Sequence, residues 1–386
     1  MRKKLLAFAA VGLMATATMT ACDDSSNADS SSSGTSTIGG GGSGARVGVI
    51  LPDEESSNRW RDEDPKYLEA AFKQQNVAVE IRNAKGDRAA FQQIADQMLN
   101  SGVKVLVIAN LDSASGKAVL AKAREKKVPT IDYDRLTLNG GADYYVSFDN
   151  VKVGELQAYG LSKCLESKGA GNPIVAQLNG SPSDNNATLF KDGYDRILDQ
   201  QYDTATFTKG PEQWVPDWDN DEAGKIFEQM LKQTPQIGGV LAANDGIGNA
   251  VIKVLRKYKR AGSVPVTGQD ATVEGLQNIL TGEQCMTVYK AVKLEAENAA
   301  RVAITLFKGE KPVVKDNLKD PESGAYVPFI SLPPASITAE NINDVVVVDK
   351  YISQDTLCKG KYLQLCKDNG VGTFADDKAK NDDNNQ

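Results

Sequence analysis

The side chains able to do chemistry in this sequence are carboxylates, carboxamides, guanidiniums, ammoniums and indoles; histidine is absent. Without imidazole, hydrolase triads and zinc sites built on it are excluded. Catalysis would have to run on Asp, Glu, Lys or Cys. The polar residues fall in a pattern, at the ends of short apolar runs. Asp53, Arg59 and Trp60 follow the run at 46–52, Asn110 ends 104–110, and Asp134 and Arg135 close 128–134. Farther along, Asn179, Asp184 and Asn186 follow 173–180, and Asn244 with Asp245 ends 238–245. Gln269 and Asp270 end 264–270, and Lys290 ends 285–290. None of these places carries GxGxxG or GKS/GKT, so no nucleotide cofactor is expected.

Such a set suits a ring bearing hydroxyl groups. Each hydroxyl both donates and accepts, and so wants carboxylate and amide oxygens beside guanidinium and amide N–H groups. The C–H face of the ring wants a flat apolar partner, and indole provides one. Buried hydrogen bonds to charged groups contribute roughly 1.5–3 kcal/mol each, enough in sum to hold one uncharged ring. Plainer roles compete. Asp134 and Arg135 would make a surface ion pair, Trp60 would fill a core, and the 181–186 and Asn244-Asp245 stretches would cap helices. Capping and ligand contact are compatible, because a strand-to-helix loop does both. Trp214 reads as structural.

The elements that must position these residues alternate. Apolar runs at 46–52, 77–84, 104–110, 128–134 and 144–150 are separated by helical patterns at 60–74, 87–101 and 115–126. On the second of these helices Phe91, Ile94, Ala95 and Met98 share one face. The rhythm restarts with a helix at 151–167 and strands at 173–180, 204–210, 238–245, 264–270 and 285–290. Helices at 185–199, 221–233, 247–258 and 272–281 separate those strands. Continuous apolar strands between helices predict an α/β fold: two doubly wound parallel-sheet lobes, with ligands outside the carboxyl ends of the strands.

The ends of the chain differ. Residues 1–21 read as a secretion signal, with Arg2, Lys3 and Lys4 ahead of an apolar stretch too short for a confident membrane span. The run Met19-Thr20-Ala21-Cys22 resembles a lipoprotein signal, which implies lipidation of Cys22; that pattern prefers Leu where Met19 stands. Residues 22–45 read as a flexible Ser/Gly tether and 373–386 as a disordered tail. Removing three positive charges with the signal takes the formal net charge from −7 to −10. An acidic surface disfavours nucleic acid and leaves neutral or cationic ligands open. Four further cysteines in an exported chain suggest pairing. Cys358 and Cys366 lie eight apart and would staple a terminal turn, leaving Cys164 for Cys285, although four cysteines allow three connectivities.

Taken in order, NRW (58–60), GVKVLVI (102–108), DYDR (132–135), VSFDNVKVGELQA (146–158) and GSPSDNNATLF (180–190) resemble the periplasmic D-xylose-binding protein family. QWVPDW (213–218), AANDG (242–246), TGQDA (267–271) and MTVYK (286–290) continue the likeness, which runs from about 46 to 350. The resemblance implies a type I periplasmic-binding fold with a three-strand hinge crossed near 148–150, 290–292 and 332–336. The N-terminal lobe would be 46–148 plus 291–333, and the C-terminal lobe 149–290 plus 334–372. It implies a sugar held by Arg59, Asp134, Arg135, Asp184, Asn186, Asn244, Asp270 and Lys290, with Trp60 and Trp218 stacked on its two faces. D-xylose is the favoured sugar, with glucose or a wider monosaccharide range as the alternative. The implied partners are an ABC permease with its cytoplasmic ATPase and, through the lipid, a membrane; no cofactor is implied. A receptor feeding a signalling partner would look the same. An enzyme using Asp134 and Asp270 as acid and base is the weakest reading, and a DNA-binding regulator would need a helix-turn-helix where the signal lies.

Overall fold

The computed structural model describes residues 37–38, 44–169 and 171–372. The expected signal at 1–21, Cys22 with nearly all of the tether, and the tail at 373–386 lie outside the described residues. Thirteen strands are described: β1 (Thr37–Ile38), β2 (Val47–Leu51), β3 (Val79–Asn83), β4 (Val105–Ile108), β5 (Thr130–Tyr133), β6 (Tyr144–Phe148) and β7 (Ile174–Asn179). They continue as β8 (Thr208–Trp214), β9 (Ile237–Ala242), β10 (Thr287–Tyr289), β11 (Asp316–Lys319), β12 (Tyr326–Leu332) and β13 (Ala335–Ile337).

The first lobe is built on an eight-stranded sheet of order β1-β3-β2-β4-β5-β6-β12-β11. Its inner pairs are parallel, and the antiparallel β1 and β11 close its two edges. Every residue of β2 is buried, because helices cover both faces and leave no solvent side to alternate with. Val47, Val49 and Leu51 pack into one core and Ile50 into the other. The helix Arg88–Asn100 buries Phe91, Ile94, Ala95 and Met98, and the Asp87 carboxylate caps it by accepting from the Ala89 and Ala90 amides. The single helix expected over 60–74 is two, Arg59–Asp62 and Asp64–Gln74. Pro65 is tolerated only in a first turn, so a second helix starts there.

The second lobe holds the parallel trio β8-β7-β9 and the antiparallel pair β10-β13. Two expectations shift. The helix from Asn185 continues to Asp203, burying Leu198, so the strand expected at 204–210 is the later, more polar Thr208–Trp214. It lies at a sheet edge, where Pro211 does no harm. The run 264–270 makes only a bridge, Val240 to Val266, before turning away. Both disulfides pair as spacing suggested, Cys164 with Cys285 and Cys358 with Cys366. The second closes a terminal segment whose Ile342, Val346, Tyr351 and Leu357 pack with Leu276, Ile279 and Tyr289.

Candidate sugar-binding site

All ten residues that the family resemblance assigned to the sugar line one cavity, together with Ser56, Ser57, Phe190 and Gln269; Asp53 lines a wider cavity beside it, and Asn110, Asn179 and Asp245 line neither. None of the ten is more than 7% exposed. The wider cavity, of about 530 Å³, shares Ser56, Arg135, Asp184 and Trp218 with the first. Asp134 and Arg135 are therefore no surface ion pair.

The first lobe contributes a charged platform. Arg59 Nε and Nη2 donate to the two Asp64 oxygens at 2.8 and 2.7 Å, Nη2 also donates to Glu295 at 2.5 Å, and Nη1 donates to Asp134 at 2.8 Å. Four of its five N–H groups are thereby engaged, leaving one on Nη1. The guanidinium also lies 4.3 Å from the Trp60 ring centre, and the Arg135 guanidinium lies 5.4 Å from it. Burial opposes charge on Asp134, yet Lys290, Arg59 and Arg135 hold its carboxyl down to about 2. Burial pushes Glu295 up to about 8, helped by Asp134 and Asp64 and opposed by Arg59. The site thus pushes the two carboxyls in opposite directions, Glu295 toward its neutral form and Asp134 toward its charged form.

The second lobe contributes caps and turns. Asp184 and Asn244 each begin a helix, accepting from the amides of Asn186 and Ile247. They also reach across. Asp184 Oδ2 lies 3.1 Å from Arg135 Nε, Asn244 Nδ2 donates to Ser56 O at 3.1 Å, and Asn186 Nδ2 donates to the Asp134 carbonyl at 2.9 Å. Trp218 Nε1 donates to Asp184 at 3.2 Å. Lys290 sits at the crossing, 3.3 Å from Asp134 and 3.8 Å from Asp270. Asp134, Trp218 and Asp270 all have left-handed backbone, φ +62°, +58° and +101°. Such strain costs on the order of 1–3 kcal/mol per residue and concentrates at ligand clamps. Ser57 Oγ is buried without a hydrogen-bond partner, whereas Arg135 Nε is ion-paired with Asp184.

Comparison with known proteins decides what this assembly is. Residues 47–311 match the family model described as periplasmic binding protein domain. The D-xylose-binding periplasmic protein of Escherichia coli K12 is 32% identical over 317 residues, covering 81% of this chain and 92% of that protein. The chain belongs to the periplasmic sugar-binding protein family. The multiple sugar-binding periplasmic receptor of Rhizobium radiobacter is 31% identical over 81% of this chain and 92% of its own. A carbohydrate-transporter solute-binding protein from Chloroflexus aurantiacus, solved with D-glucose, superposes with a TM-score of 0.74 at 27% identity, covering 81% of this chain and 98% of that one. Members of this family bind solutes outside the cytoplasm and are not enzymes, which removes the acid–base reading of Asp134 and Asp270.

Several residues of this sugar-binding protein escaped the sequence reading. Asp64 and Glu295, which hold Arg59, lie 5 and 236 positions from it. Glu295 sits on the buried stripe of the helix Val292–Phe307 between Val292 and Ala296, and a carboxylate on an apolar stripe is the signal that would have found it. Phe190 lines the cavity from the helix Asn185–Asp203. Trp214 only packs against the second-lobe core, as its structural reading expected.

Proposed function

We propose that this protein is the substrate-binding lipoprotein of an ABC sugar importer, clamping D-xylose or a related monosaccharide between its lobes. The carrying observation is one cavity around which carboxylate, amide and cationic groups from both halves converge. Arg59, Trp60, Asp134 and Arg135 would hold the ring from one lobe, and Asp184, Asn186, Trp218, Asn244 and Asp270 from the other. Lys290 would act at the crossing. The unpartnered Ser57 Oγ supplies hydrogen-bonding capacity that a hydroxylated ring would use.

The lobes are proposed as 46–148 plus 291–333 and 149–290 plus 334–372, with the hinge at the three passages between them. Contacts such as Asn244 to Ser56 form only when the lobes meet, so a ligand touching both shifts the population toward closure. The closed form would engage a permease whose ATPase supplies the energy. Cys22 would carry lipid and tether the protein to the membrane through residues 22–45.

A glucose or multiple-monosaccharide specificity is the second reading. It is favoured by the sugar-binding receptor of Rhizobium radiobacter and the glucose-bound Chloroflexus aurantiacus structure. Calorimetric titration with D-xylose, D-glucose, L-arabinose and D-ribose separates the two, and X-ray scattering should show compaction with whichever sugar binds. An unchanged radius and no heat with every sugar would overturn the proposal.

A further inference from the structure

We propose that Asp245 is a positioning residue for sugar binding, fixing the three segments that carry Asn244, Asp270 and Lys290; this rests on the sugar-binding reading above. Asp245 is fully buried, opens the helix Asp245–Lys257 and lines no described cavity. Its carboxylate accepts four hydrogen bonds. Oδ2 takes the Thr272 amide at 2.7 Å and the Thr272 hydroxyl at 3.0 Å. Oδ1 takes Gln284 Nε2 and the Thr287 hydroxyl, both at 2.8 Å. The Asp245 amide in turn donates to Gln269 O at 2.9 Å.

These bonds bracket the strained part of the site. Gln269 and Thr272 flank Asp270 and Ala271, whose left-handed φ values of +101° and +51° no local glycine relieves. One residue thus grips the turn on both sides, with its backbone amide at Gln269 and its carboxylate at Thr272, while its helix presents Asn244 to Ser56. Thr287 extends the grip, since its hydroxyl accepts from the Ala271 amide at 3.3 Å and it begins β10, the strand leading to Lys290. The room for the carboxylate is itself built. A Cβ on Gly268 or Gly275 would fall 2.0 or 2.3 Å from an Asp245 oxygen. Burial pushes the carboxyl up to about 7 against the hydrogen bonds from Thr287, Thr272 and Gln284. An acid kept in such a place, lining none of the described cavities, is serving geometry.

The test compares Asp245→Ala and the near-isosteric Thr287→Val with Met230→Ala, a core truncation in the helix Asn220–Gln233 remote from the turn. Each is titrated with D-xylose and D-glucose well below its melting temperature, and amide hydrogen exchange is followed at 270–271. Asp245→Ala should lose at least tenfold in affinity and Thr287→Val a few-fold, both with faster exchange at 270–271. Met230→Ala should lose stability yet stay within twofold in affinity. Unchanged exchange in Thr287→Val overturns the proposal even if Asp245→Ala fails to fold. So does Asp245→Ala binding within twofold of the parent, or Met230→Ala losing as much. A parent that binds neither sugar would sink the specificity reading instead, while the exchange comparison still decides the role of Asp245.

Discussion

Arg59 and Asn244 border the same cavity under different obligations. Arg59 is matched within its own lobe by Asp64, Glu295 and Asp134, so its place is set whether or not the lobes meet. Asn244 caps its helix with its oxygen and reaches across to Ser56 with its nitrogen. Opening the lobes leaves the first arrangement intact and breaks half of the second. Asp184 and Asn186 behave like Asn244, each combining local hydrogen bonds with contacts to the first lobe. On the proposed closure of the lobes, the first would be a preformed platform and the second a clamp whose polar groups need the closed state.

That contrast can be broken most forcefully at Asp134, where platform and clamp join. Asp134→Ala would leave Arg59 and Lys290 facing each other without their shared carboxylate. Removing one partner of a buried pair costs about 3–5 kcal/mol. Sugar affinity should fall by about a hundredfold or more by calorimetry, and a loss below tenfold would show that the platform does not depend on it. Arg135→Ala and Asp270→Ala should each weaken binding by about 2 kcal/mol, through buried polar groups left unpaired. For Arg135→Ala, scattering of the sugar-free protein should also shift toward the open form, since its contact with Asp184 spans the lobes. Parent-like affinity in both variants would contradict the site.

The platform has a pH signature that the clamp residues touching the cavity share only in part. Glu295 has a folded value near 8, above its ordinary 4.5, so the folded state holds a proton that the unfolded chain releases. Its contribution is complete below about 4.5 and is lost as pH rises through 8. Asp132 and Asp245, both raised from 3.8 to about 7 by burial, act in the same direction. Asp134, lowered to about 2, acts oppositely, but only below pH 4. Melting temperature should fall steadily from pH 5 to pH 8. Glu295→Gln should flatten the upper part of that slope, and an identical slope in the variant would refute the assignment.

The clamp was more legible in the sequence than the platform. Asp184, Asn186, Asn244 and Asp270 stand at strand-to-helix junctions, where a period change in hydrophobicity marks the place and the residue type marks the cap. Arg59 was legible as a residue but its support was not. Asp64 stands before Pro65 and looks like an ordinary helix start, and Glu295 arrives from a helix that returns to the first lobe after the chain has crossed to the second and back. The misplaced strand at 204–210 has a similar origin. Its alternating Thr and Phe looked sheet-like, but Leu198 and Tyr202 carry the preceding helix farther and push the real strand into polar sequence. Local pattern reports what a segment prefers, whereas tertiary packing decides where it stops.

The smallest expected effect separates two tryptophans four residues apart. Trp218 lines the cavity in a left-handed conformation, meets Phe190 edge-on at 6.4 Å and donates to Asp184. Trp218→Phe keeps an aromatic ring but removes that donor, leaving Asp184 to rely on Arg135 and the Asn186 amide. One hydrogen bond to a charged group contributes roughly 1.5–3 kcal/mol, and part of it is recovered because Arg135 remains, so about 1 kcal/mol of affinity should be lost. Trp214 ends β8 and packs against the lobe core, so Trp214→Phe should alter stability slightly and affinity by less than twofold. If sugar still quenched or enhanced fluorescence in Trp218→Phe but not in Trp214→Phe, the ligand would lie beyond the clamp drawn here. A response that persists in Trp214→Phe and shrinks in Trp218→Phe, where Trp60 remains in the cavity, fits an indole at position 218 that feels the ring directly.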